Sequence, residues 1–282
     1  MSEAVDPALV AIRFLAYGLA MLAFGRASLA LYASAAQPSR LTSMAVGAAL
    51  AVAAIAYAVL LARAATGAAG WPQAAAIAMI WRDTGFGRAL AVSAAAALAL
   101  AGLGLSARPL RWPRLALAAV ALGALAFVGH ASDDTGLRAG VRLATLAVHL
   151  LAVAAWLGAL PGLMQAISRE QRPLALLARF GWVGGVSLGL VLVTGVATLI
   201  FVALDAHSGL GPGYLRTLAI KLGFVAGLVA LAAINRFRLT PMMARAPDRT
   251  RGWLRATIAA EQALGLGALA SVAVLGQLDP TM

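Results

Sequence analysis

Eight long apolar stretches, joined by short segments that carry most of the arginines, decide what this chain can fold into. They fall at approximately 8–34, 41–64, 86–106, 114–131, 138–160, 179–204, 214–236 and 253–276. Most hold about 20 residues or more, enough at roughly 1.5 Å per helical residue to cross a hydrocarbon core about 30 Å thick. In lipid the backbone must satisfy its own hydrogen bonds, which leaves helices or closed barrels. The short alternating strands of a barrel are absent from the sequence. The expected fold is therefore all-α, a polytopic transmembrane helical bundle with about eight spanning helices. No linker of disordered composition interrupts it, so residues 1–282 read as one integral-membrane domain. A shorter stretch, 72–82, follows Trp71-Pro72 and belongs at the interface rather than across the bilayer. The opening MSEAVDPALV lacks a basic n-region and a small-residue cleavage site, so it reads as a retained first helix.

Composition supports lipid as the solvent: 62% of residues are hydrophobic and 11% charged, too few charges to cover a soluble domain of this length. The net charge of +12 would suggest nucleic acid in a soluble protein. Here the basic residues sit in loops between spans, the arrangement that sets topology, and no nucleic-acid partner is expected. With both termini outside, the inner loops hold 13 basic residues, six of them between 236 and 255, and the outer segments eight. Arg26 falls within the first span and counts for neither side. Seven of the ten acidic residues then lie outside. The chain has no cysteine, which excludes thiolate metal sites, disulfides and cysteine nucleophiles.

Polar side chains inside spans are costly and mark functional candidates. They are His130, His149, Lys221, Asn235 and Glu261, with His207 in an outer loop. His130 closes the fourth span in GHASDD, and His149 lies in the fifth, seven residues past Arg142. Neutral imidazole binds copper, zinc, iron or nickel, and thioether selects Cu(I), which keeps Met21 of the first span in reserve as a soft ligand. Asp133 and Asp134 would concentrate cations at the outer mouth, or serve only as a solvated loop. A lone membrane histidine also bonds commonly to a neighbouring backbone, so each histidine carries both readings. Lys221 reads as an interfacial anchor, whereas Glu261 needs a partner such as Asn235, Lys221 or an inner arginine. A buried structural pair and a proton or cation relay both fit Glu261. No H-E-x-x-H, G-x-S-x-G or P-loop sequence is present, and no enzymatic activity is expected. Phe86-Gly87-Arg88 and Tyr214-Leu215-Arg216 each open a span, a short hint of an internal repeat.

The stretch from Gly129 to Gly162, GHASDDTGLRAGVRLATLAVHLLAVAAWLGALPG, resembles the CopD family of inner-membrane copper resistance and copper uptake proteins. RFGWVGGVSLGLVLVTGVAT, GPGYLRTLAIKLGFVAGLVALAAINRFRLTP and LRATIAAEQALGLGALA are similar to that family's later helices, and RDTGFGRAL to an upstream element. The resemblance covers most of the chain and is strongest from about residue 129 onward. It implies copper as the ion handled, with His130 and His149 as metal ligands. Trp156, Lys221, Asn235 and Glu261 match other recurring positions. Many relatives carry a histidine in the first helix where this chain has Ala16, which puts that part of the ligand set in doubt. The resemblance further implies the bacterial inner membrane, in which the termini that the loop charges place outside would be periplasmic, and a separate periplasmic CopC-like copper chaperone as partner.

Copper entering from the periplasm would meet His130 and the acidic loop, then His149, with Glu261 offsetting charge further in. Two other functions fit the same residues. Paired histidines on adjacent helices suit the axial positions of haem b in an electron-transfer protein. A non-catalytic assembly factor for copper proteins would use its outer loops and leave both histidines structural.

Overall fold

The computed structural model describes residues 5–33, 36–67, 70–106, 108, 110–128, 136–169, 173–206 and 209–281. Helices account for nearly all of them, and no strand occurs among them. In chain order they are α1 (Pro7–Tyr32), α2 (Arg40–Thr66), α3 (Ala74–Asp83), α4 (Gly85–Leu103), α5 (Arg111–Ala124), α6 (Gly136–Trp156), α7 (Leu160–Arg169), α8 (Leu174–Asp205), α9 (Pro212–Ile234), α10 (Thr240–Arg245) and α11 (Pro247–Leu275).

Local chemistry sets the helix ends. The Asp6 carboxylate accepts from the amides of Ala8 and Leu9, with Pro7 at the first helical position. Ser39 caps α2 through Thr42 N–H, and Thr84 caps α4 through Gly87 N–H. Gly67 ends α2 in the left-handed region, at φ 63°, where a side chain would be strained. The ten residues of α3 reach only about 15 Å, so it cannot cross, as the short 72–82 stretch implied.

Seven segments are long and apolar enough to span: α1, α2, α4, α6 continued by α7, α8, α9 continued by α10, and α11. An eighth pass is supplied by α5. The two ends of the chain meet, since Asp6 N–H donates to Gln277 Oε1 at 2.9 Å and Gln277 Nε2 donates back to the Asp6 carbonyl at 3.1 Å. Termini on one side require an even number of passes. With its Leu125–Phe127 3₁₀ turn, α5 covers about 27 Å, close to the thickness of a hydrocarbon core. Its last turns are held by buried bonds from Ser93 Oγ to the Ala121 carbonyl (2.9 Å) and from the Tyr17 hydroxyl to the Leu125 carbonyl (2.7 Å).

At the centre, α1 packs against α2, α5, α6, the Leu157–Ala159 turn and α11. Around it α2 pairs with α4, α6 with α8, and α9 with α11. Among the described residues α8 and α9 do not pack extensively on one another, so the second half is more open than the first. Alanine and leucine dominate the core, including Ala16, Ala54, Leu50, Leu90 and Leu122. Small side chains let helix backbones approach, which matters in lipid because burial from water no longer drives association. A second core of Leu160, Leu163, Ile167, Leu254 and Ile258 seals the end away from the termini, where the arginines gather.

Candidate functional site

Only one of the three histidines falls within the described residues. His130, Asp133, Asp134 and His207 lie outside them, so the expected outer mouth has no structural description. His149 sits on α6, about 20 Å from that helix's first residue and thus near mid-bilayer. Its partly exposed ring faces α8, with Nδ1 2.9 Å from Thr194 Oγ1. Thr194 has one hydroxyl proton and donates it to the Leu190 carbonyl, one helical turn back. The oxygen therefore accepts from His149 Nδ1–H, which leaves the lone pair on Nε2. An imidazole held by one nitrogen and open at the other is the form that ligates metals. The ring edge rests over Gly195, where a Cβ would stand 3.5 Å from His149 Cε1. Lys221, on α9, lies within electrostatic reach of the same ring.

Above His149, Asp205 joins α8 to α6. Its two carboxylate oxygens accept from Arg138 (2.5 Å) and Arg142 (2.6 Å). This fork pins the helices at the end that holds the termini. Trp156, two turns beyond His149, is buried at 4% exposure and packs where α8 carries Gly184.

Glu261 forms a separate polar station. It is 3% exposed, and its Oε1 accepts from Asn235 Nδ2 at 3.0 Å. Thr257 Oγ1 donates to Asn235 Oδ1, and Thr240 Oγ1 donates to the Asn235 carbonyl at 2.8 Å. Asn235 also opens a π-helical turn, Asn235–Leu239, the kind of break that frees backbone groups and recurs at functional sites. Of the partners expected for Glu261, the structure supplies Asn235. Gly265 packs on Leu157, eight residues past His149, and Glu261 lies one turn further toward the arginine-rich end. The two stations are thus on the order of 15–20 Å apart along the bundle.

Met21 is buried, but its backbone packs against Gly158, roughly 13 Å along α6 from His149. The structure therefore does not bring it to the histidine's level. Among the described residues no group of three or more His, Asp or Glu gathers as a metal cage. The sequence reading passed over Thr194. A hydroxyl inside an apolar span was the available signal, but its pairing with a residue 45 positions away was not legible.

An all-helical bundle with a metal-competent imidazole at mid-depth and a hydrogen-bonded carboxyl beneath it is a multi-pass membrane protein with polar stations inside the bilayer. Residues 1–141 match the family described as copper resistance protein D-like, N-terminal domain, and residues 174–275 match copper resistance protein D. The chain is 32% identical to copper resistance protein D of Pseudomonas syringae pv. tomato over 98% of each protein. It is also 32% identical to inner membrane protein YebZ of Escherichia coli (strain K12), over 55% of each. No solved structure matches. The chain belongs to the copper resistance protein D family.

Proposed function

We propose that this protein carries copper ions across the bacterial inner membrane, from the periplasm toward the cytoplasm, with His149 as the intramembrane ligand. The observation that carries the reading is the His149–Thr194 bond, which leaves Nε2 available in a member of a copper resistance family. A transit site must also release its ion, and a single imidazole with few fixed neighbours favours exchange over storage. His130 with Asp133 and Asp134 forms the entry on this reading, and both termini face the periplasm. Glu261 lies further along the same path, where a carboxylate offsets a cation's charge. A periplasmic CopC-like chaperone delivers the ion.

Elemental analysis and a visible spectrum of one detergent-purified sample, with and without added Cu(I), test the assignment. Near-stoichiometric copper that disappears in His149→Ala is the expected result. A Soret band with stoichiometric iron would replace the copper route with haem b and electron transfer. Neither metal in the sample would leave an assembly factor for copper proteins as the better reading.

Glu261 has its own test. Glu261→Gln keeps the oxygen that accepts from Asn235, so thermal stability should hold within roughly 0.5–1 kcal/mol of wild type while copper uptake falls severalfold. Glu261→Ala removes the acceptor of the half-buried Asn235 amide and leaves a cavity at a buried position, at a cost on the order of 2–4 kcal/mol. Wild-type uptake in Glu261→Gln would reduce Glu261 to a structural partner of Asn235.

A further inference from the structure

The arginine-rich end contains a cleft that copper handling does not use. It opens to the surface between α1, the chain leading into α2, and the first turns of α5. Arg26, Arg111 and Arg114 line it together with Gln37, Thr42 and Ser43, and no carboxylate is among its described lining residues. Three guanidinium groups in one cleft repel each other unless an anion joins them.

Arg26 is the decisive residue. It is 8% exposed, which is unusual for a cation inside a span. Its Nη2 donates to Gln165 Oε1 at 3.0 Å, but its buried Nε has no partner. Arg114 repeats the pattern, with Nη2 on the Leu103 carbonyl at 3.1 Å and a buried Nε unpaired. Arg111 stands at the rim as the first residue of α5, and with the Gln37 amide oxygen turned toward it, that oxygen accepts from its guanidinium. Buried donors left open are costly, and nearly all such groups in native proteins meet a partner. The missing partner here carries several oxygens and negative charge.

We infer that this cleft binds a phosphate group, held by Arg26, Arg111 and Arg114. Guanidinium forks match phosphate oxygens in pairs, which a single carboxylate satisfies less fully. Gln37 lies in the segment joining α1 to α2 and Arg111 opens α5, so the mouth of the cleft lies where the bilayer meets water. Basic pockets between spanning helices at that depth take anionic lipid headgroups, and the same oxygens are offered by free phosphate. The inference is independent of the copper reading.

Native mass spectrometry of the full-length protein, titrated with phosphatidylglycerol, phosphatidylcholine and inorganic phosphate, tests it. Wild type should retain one phosphatidylglycerol in preference to phosphatidylcholine, with apparent affinity about tenfold lower in Arg26→Gln. Because Arg26 also holds Gln165, Arg111→Gln at the exposed rim serves as the variant that leaves the fold alone, and it should weaken binding in the same direction. Lipid retention that inorganic phosphate does not displace identifies a headgroup site. Displacement by phosphate, or phosphate binding lost in Arg26→Gln, identifies a site for the free anion. Binding of both probes that is absent or unchanged across wild type and the two variants overturns the assignment.

Discussion

Cells expressing His149→Ala should accumulate copper no faster than cells without the protein, at equal expression. The reason is geometric as well as chemical. His149 stands near mid-bilayer, where water is scarce and a copper ion must exchange solvent for protein ligands. Removing the imidazole removes the one described nitrogen with an open lone pair at that depth. Total loss alone would not separate a ligand from a packing residue, so Thr194 supplies the discriminating variants. Thr194→Val deletes the acceptor for Nδ1–H and frees the ring to rotate and change tautomer, while its volume is nearly kept. Outer-sphere partners of this kind are worth about 10–100-fold in metal affinity. Thr194→Ser retains the oxygen and should stay near wild type. The expected order of uptake is therefore wild type and Thr194→Ser, then Thr194→Val, then His149→Ala. Copper accumulation unchanged in His149→Ala would remove this residue from the path, whatever the behaviour of Thr194.

The spans were legible because length and hydropathy alone decide whether a segment crosses lipid, and the observed helix bounds fall within a few residues of those read from sequence for five of the eight; α11 begins at Pro247, six residues before the 253 expected. The start of α8 was also early: Leu174–Ala178 already belongs to the helix, five residues before Arg179 had suggested. At α5 helical geometry ends at Phe127, Val128 is extended, and residues 129–135 lie outside those described. Two interruptions escaped notice. The 3₁₀ turn at Leu157–Ala159 is apolar and leaves no mark on a hydropathy profile, whereas at Asn235–Leu239 the arginines ended the apolar run and so hid the continuation of the helix through a π turn into α10. Each arises from packing: the first lets α1 approach closely, the second surrounds the Asn235–Glu261 pair. The cost of polarity in lipid singled out His149, Asn235 and Glu261 as candidates, and of Glu261 it said that a partner was needed; each is hydrogen-bonded in the structure. Who those partners are depends on helices 20–50 positions apart and on their rotation about their axes. Arg26 shows the opposite failure. It was set aside because it fitted neither side of the topology count, although its place inside a span was itself the signal.

The glycine-to-glycine crossing of α1 with the end of α6 makes the second large prediction: Gly158→Val should cripple the fold while leaving the site residues untouched. A Cβ at Gly158 would fall into the Met21 carbonyl and stand 3.4 Å from the Gly25 Cα. From the other side, a Cβ at Gly25 would collide with the Gly158 carbonyl carbon, the Ala159 amide and the Ala154 carbonyl. These are backbone atoms, so no rotamer change relieves the overlap. Adding a branched side chain forces α1 away from the end of α6, and α1 is the helix on which both halves of the bundle rest. Overpacking typically costs about 1–3 kcal/mol, and a backbone clash at a central crossing belongs at or above the upper end. By the scaling for chains of this size, about 3 kcal/mol lowers the thermal midpoint by roughly 6–12 °C. Size-exclusion thermostability in detergent reads that shift directly. The matching control is Gly185→Ala on α8, where an added Cβ meets nothing within 4 Å and helix propensity improves. Gly185→Ala should be neutral or slightly stabilising. A Gly158→Val protein as stable as wild type would mean that α1 does not cross the α6–α7 junction at glycine-to-glycine distance, and the central position of α1 would have to be abandoned.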